Sequence, residues 1–160
     1  MIEGDSQHYA QMPYYLVPTV NSTDAITDFA SKGYYVLMPY AQGIQKTDDV
    51  RDTVTINSLL TTSDSAYSKV DVNSGSIEET DDDTKGPFDL GVSITESLDD
   101  DKETQIVYYA SSNLMDSQIN AAVAGGNEQL IMESLNWMCS SDEAETVSIP
   151  SKRWMFFSPS

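Results

Sequence analysis

Cysteine, histidine and basic residues are all scarce in this 160-residue chain, and each scarcity closes off a class of chemistry. Cys139 is the only cysteine, so no internal disulfide can form and neither a CxxC pair nor a cysteine-rich metal site can be assembled. A single thiol leaves the redox compartment open. His8 is the only histidine, so a Ser-His-Asp triad would have to join it to a serine far along the chain. The serines placed after strands are Ser63, Ser65, Ser111 and Ser112, and none stands in a G-x-S-x-G elbow. Eight Lys and Arg against 26 Asp and Glu leave a net charge of −18. Binding to a phosphate backbone rests on basic residues that release counterions, so nucleic acid is excluded as a partner. The same charge disfavours anionic lipid and favours a solvated acidic surface. No run of 18 apolar residues spans a membrane, and Ile2-Glu3-Gly4-Asp5 lacks the basic and apolar stretches of a signal peptide. Met1 reads as a start residue placed before an excised domain. Phosphate-binding loops of the G-x-x-x-x-G-K-[ST] or G-x-G-x-x-G type are also missing.

What is present suits one folded domain: 39% hydrophobic residues, gathered in clusters, in a chain long enough to bury a core. Tyr14 to Val17, closed by Pro18, predicts a strand ending at a turn. Asn21 to Thr23 offer helix caps for a segment carrying Ala25, Ile26, Phe29 and Ala30, with Gly33 as its stop. Tyr34 to Met38 is a continuous apolar run ending at Pro39, which predicts a strand buried on both faces. Strand, helix and strand in succession point to an α/β fold: a mixed, mostly parallel central sheet flanked by helices, in a flavodoxin- or glutaminase-like layered architecture. Val54 to Leu60 predicts a further strand, and the polar stretch from Ser68 to Thr84 a long surface loop.

Phe88, Leu90, Val92 and Ile94 alternate with Asp89, Gly91 and Ser93, the period of a strand near a sheet edge. Thr104 to Ala110 predicts a buried strand. Asn127 can cap a helix in which Leu130, Ile131, Leu135 and Met138 recur at helical spacing while Glu128, Glu133 and Asn136 point elsewhere. Cys139, in its last turn, reads as a small buried hydrophobe. Val147 to Pro150 predicts a last short strand.

Two sets of residues stand out as binding candidates. In open α/β sheets ligands sit outside the C-terminal ends of strands, which directs attention to Thr61, Thr62 and Ser63 and to Ser111, Ser112 and Asn113. Their hydroxyl and amide groups suit a polar ligand such as a carbohydrate, although capping and turn formation account for them equally well. The acidic runs Asp81, Asp82, Asp83 and Asp99, Asp100, Asp101 carry the oxygen ligands that calcium accepts, but neither has EF-hand spacing, and solvated loop charge is the competing reading. The hydroxyl and amide set lacks an acid, base or nucleophile system, and 26 acids always yield some carboxylate pair, so no catalytic residue is assigned and no cofactor is expected apart from the calcium reading.

Five segments taken in order carry a family resemblance: Tyr15-Leu16-Val17-Pro18, Leu59 to Ser63, Lys85-Gly86-Pro87-Phe88-Asp89-Leu90-Gly91, Gly126-Asn127 running to Asn136-Trp137, and Val147 to Lys152. This series resembles the C-terminal part of the soluble domain of the GldG-like family, auxiliary components of ABC-type transport systems linked to gliding motility. The resemblance covers most of residues 2 to 152 and implies an extracytoplasmic α/β domain at the bacterial membrane, anchored by transmembrane helices and cooperating with a permease and an ATPase. It implies no catalytic residues. It also implies that the chain begins part-way through the family domain and that residues 153–160, with Trp154, Phe156 and Phe157, form a juxtamembrane tail after a single domain of residues 1–152. The expected function is therefore a non-enzymatic module acting through protein or surface-polymer contacts. The alternative is a small-ligand or carbohydrate-binding domain that uses the strand-end loops.

Overall fold

The structure is a computed structural model that describes residues 1–98 and 102–139. The elements in chain order are β1 (Tyr15–Leu16), β2 (Thr19–Val20), a 3-10 turn (Asp24–Ile26) leading into α1 (Thr27–Lys32), β3 (Met38–Pro39), β4 (Val54–Thr61), β5 (Tyr67–Ser68), β6 (Thr84–Lys85), β7 (Asp89–Ser97), β8 (Glu103–Tyr109), α2 (Ser117–Ala122) and α3 (Gly126–Cys139). β2, β4, β7 and β8 form one sheet in that order, and every pairing in it is antiparallel. β1 with β3, and β5 with β6, add two small antiparallel ribbons.

The expected α/β architecture is therefore wrong: among the described residues no two paired strands are parallel. The reason lies in the connections. A parallel pair needs a crossover of a dozen or more residues, usually helical, whereas Ser97 pairs with Glu103 only six positions later in the chain, so β7 and β8 pair antiparallel. Residues 62–88, between β4 and β7, supply only the β5–β6 ribbon and loop, with no helix to carry a parallel return. The apolar run at Tyr34 to Met38 misled for a related cause. Only Met38 and Pro39 pair as a strand, and Tyr34 and Tyr35 face solvent.

Other expectations divide by how local their physics is. Gly33 ends α1 with φ of 65°, the left-handed conformation that glycine tolerates, and its N–H reaches the carbonyl of Ala30. β4 forms where alternation predicts it. β7 is interior rather than at an edge, lying between β4 and β8 and burying Leu90 to Ser93 in succession. The edge is β8, which turns Ile106 and Tyr108 outward. The strand expected at 147–150 and the tail at 153–160 lie outside the described residues.

The core joins Leu16 of β1, Ala25 and Ile26 of the 3-10 turn, Phe29 of α1, Val36, Met38, Ala41, Leu59 and Leu60 of β4, Leu90 of β7, Leu114 and Leu130 of α3. Phe29 and Ile26 are completely buried, and burying such side chains contributes roughly 1.5–3 kcal/mol each. α3 presents Asn127, Leu130 and Ser134 to this core, with Trp137 packed beside them. That face is rotated from the one expected: Leu135 and Cys139 are exposed, and Glu133 turns inward to accept the Phe29 N–H at 2.8 Å.

Candidate functional site

Because β4 and β8 both run antiparallel to β7, their last residues meet at the end of the sheet where β7 begins. Thr61 pairs with Asp89, and Tyr109 with Gly91. The two expected polar triplets accordingly share one end of the sheet, but most of their groups are already engaged. Thr62 Oγ1 accepts the Phe88 N–H at 2.8 Å and donates to the Ser63 carbonyl. Ser63 Oγ donates to Glu3 at 2.5 Å, and the Glu3 carboxylate, 2% exposed, also accepts the N–H groups of Asp5 and Ser63. Ser111 Oγ donates to the Pro39 carbonyl at 2.7 Å. Thr61 accepts a long bond from Asn21, and Ser112 reaches only its neighbour Asn113. His8 contacts the Val17 carbonyl and Asp5, and no hydrogen bond joins it to any of the four serines.

Asp83 is likewise consumed. Its carboxylate pairs with Lys69 at 2.7 Å and accepts the N–H groups of Val70 and Thr80. The Lys69 ammonium beside it holds its carboxyl well below the usual carboxylate range. Asp81 and Asp82 are exposed, so the first acidic run does not converge, and among the described residues no three metal-ligating side chains come together. Asp99, Asp100 and Asp101 lie outside the described residues.

What the bond between Ser111 and Pro39 does is fix the next residue. Tyr40 has φ of 54°, a left-handed conformation that is rare for a bulky side chain and costs of order 1–3 kcal/mol. It is held there from both sides: its N–H reaches the Tyr14 carbonyl, and the Gln42 N–H reaches that of Ala110, each at 2.9 Å. The ring is thereby pushed outward, with 59% of the residue exposed. It stacks on Tyr14 with ring centres 5.1 Å apart and 15° between the planes, and Tyr15 leans on both at 5.4 and 5.8 Å. A hydrogen bond with Tyr40 raises the pKa of the Tyr15 phenol above its ordinary value.

This aromatic ridge separates two clefts of about 340 Å³ each. One is bounded by Tyr14, Tyr40, Gln42 and the loop carrying Val72 and Ile77. The other runs between Tyr40, Gln42, Tyr108 and the expected residues Ser111 and Ser112. The same segment continues across the end of the sheet, where the Ile44 N–H bonds the Asp89 carbonyl and Lys46 enters a third, larger cleft of about 550 Å³ that includes Thr61. Residues 40–46 thus line all three concavities. Sequence reasoning missed Tyr40, Gln42 and Tyr108. The available signal was the recurrence of tyrosine, nine in all, at the margins of apolar runs rather than inside them.

Comparison with protein-family models, curated proteins and solved structures finds no match to this chain.

Proposed function

We propose that this chain is a non-enzymatic binding module whose ligand is a neutral polysaccharide laid across the Tyr14, Tyr15 and Tyr40 ridge. The observation that carries the reading is the strained, outward Tyr40, stacked on Tyr14 between a largely apolar cleft and a polar one. An exposed aromatic face carries a negative quadrupole that attracts the C–H groups of a sugar ring, while amide and hydroxyl groups beside it satisfy the sugar hydroxyls. Gln42, Ser112 and Tyr108 stand in that position. Two clefts meeting at one ridge suit an extended polymer better than a single small molecule. The net charge of −18 favours an uncharged ligand over a polyanion.

The ordered motifs that resemble the GldG-like family support placing such a module on the extracytoplasmic face of a bacterial membrane, beside the permease and ATPase of an ABC transporter. Surface-polymer contact is one of the two modes of action which that placement allows. The α/β fold implied by the resemblance is not adopted, so the proposal rests on the ridge. Titration calorimetry against neutral oligosaccharides tests it. Binding should be insensitive to salt and should weaken by about tenfold or more in Tyr40→Ala, as for an aromatic anchor. Absence of binding across the panel, or unchanged affinity in Tyr40→Ala, would overturn the reading.

A further inference from the structure

The motif Lys85-Gly86-Pro87-Phe88-Asp89 carries a second site. Four of its five residues line the 550 Å³ cleft, together with Lys46, Ser58, Thr61 and Thr84 from elsewhere in the chain. We infer that this cleft binds an organic monoanion, a carboxylate joined to a compact apolar body, independently of the tyrosine ridge.

Basic residues are concentrated at this cleft. Only six of the eight basic residues are described, and two of them, Lys46 and Lys85, face this one cleft of a strongly acidic protein. Lys46 Nζ donates to Ser58 Oγ at 2.7 Å and lies 3.3 Å from an Asp89 carboxylate oxygen. An ammonium has three protons, so among the described residues this one keeps a donor for a ligand. Lys85 Nζ is 76% exposed at the side chain and bonds Glu79 at 2.7 Å, which leaves it further donors. Neighbouring Glu79 raises the Lys85 pKa, so its positive charge is secure at neutral pH.

The apolar part of the cleft is equally defined. The Phe88 ring is clasped between Gly43 and Gly86: a Cβ on either would stand 2.8 Å or 3.2 Å from ring carbons. Pro87 and Ile44 flank it. A volume of about 550 Å³ with an apolar wall and a few convergent polar groups is the usual form of a small-molecule site. Monovalent carboxylate fits better than phosphate. Asp89 offsets Lys46 and Glu79 offsets Lys85, so the cleft offers spare N–H donors rather than surplus positive charge, and the overall negative field opposes a dianion more strongly than a monoanion. The cleft shares no lining residue with the two beside Tyr40.

Sodium benzoate is a suitable probe, with benzamide and inorganic phosphate as controls, followed by backbone amide chemical shifts. Benzoate should move the resonances of Lys46, Thr61, Phe88 and Asp89 saturably, with benzamide and phosphate at least about tenfold weaker. Lys85→Met, at a side chain 76% exposed, should weaken benzoate about fivefold or more, and Lys32→Met should not. Lys46→Met should weaken it further. Equal binding of benzamide, shifts scattered elsewhere, preferred binding of phosphate, or indifference to Lys85→Met would each overturn the inference. Neutral oligosaccharide should bind equally well in the Lys85→Met variant, so failure at one site is distinguishable from failure at the other.

Discussion

The side-chain amide of Asn127 hydrogen-bonds both backbone groups of Leu37, 90 residues away in sequence: its oxygen accepts the Leu37 N–H at 3.0 Å and its nitrogen donates to the Leu37 carbonyl at 2.8 Å. The same nitrogen donates to the Leu114 carbonyl at 3.0 Å. Asn127 is completely buried, so it serves as a strand-like partner for the extended 36–38 segment rather than as the helix cap that its position suggests. Gly126 completes the junction, because a Cβ there would collide with the Tyr35 carbonyl.

Replacing Asn127 by Leu removes three hydrogen bonds and leaves two backbone groups of Leu37 unsatisfied in the core. A loss of about 2–4 kcal/mol is expected. Urea denaturation measures it, and a loss below about 0.5 kcal/mol would show that the 35–38 segment is held by apolar packing alone.

Asp83 should govern acid stability. Its folded pKa is depressed by Lys69, so the stabilisation is complete above the ordinary carboxylate value of about 4 and is lost as pH falls toward the folded value. Asp83→Asn should lower stability at pH 7 and flatten its decline below pH 4. An unchanged slope in the variant would remove Asp83 from that role.

Tyr109 should act at the alkaline end. Ser134 Oγ gives its single proton to the Leu130 carbonyl, so the Tyr109 hydroxyl is the donor in their 2.6 Å bond. Burial, chiefly, pushes the phenol up to about 12, with Glu133 acting in the same direction. Below pH 10 the stabilisation is intact, since both states are protonated. Between pH 10 and 12 the unfolded chain ionises and the folded one does not, so about 2–3 kcal/mol is lost. Tyr109→Phe should show a shallower alkaline decline in stability over that window.

Cys139 should react with a thiol reagent in the native protein, one equivalent per chain without denaturant, because its side chain is exposed at the end of α3. Reaction that appears only after unfolding would place the thiol in the core.

Sequence alone determined the features whose physics is local. Glycine at a left-handed position stops α1, alternation makes β4 and β7, and helical spacing makes α3. Thr61 to Ser63 and Ser111 to Asn113 do lie at one end of the sheet, at the ends of the two strands that flank β7, but the rule that singled them out belongs to parallel sheets and this sheet is antiparallel. Tertiary structure decided the rest, because pairing direction and burial depend on residues far apart in the chain. An apolar run has the same pattern whether it is a parallel strand or, like Tyr34 to Met38, a segment leaned on by a helix. Whether a hydroxyl is a ligand group or a strut depends on its partner, and for Ser111 that partner is the Pro39 carbonyl, 72 residues away. Through that bond the chain holds Tyr40 outward, in a conformation no local preference would choose.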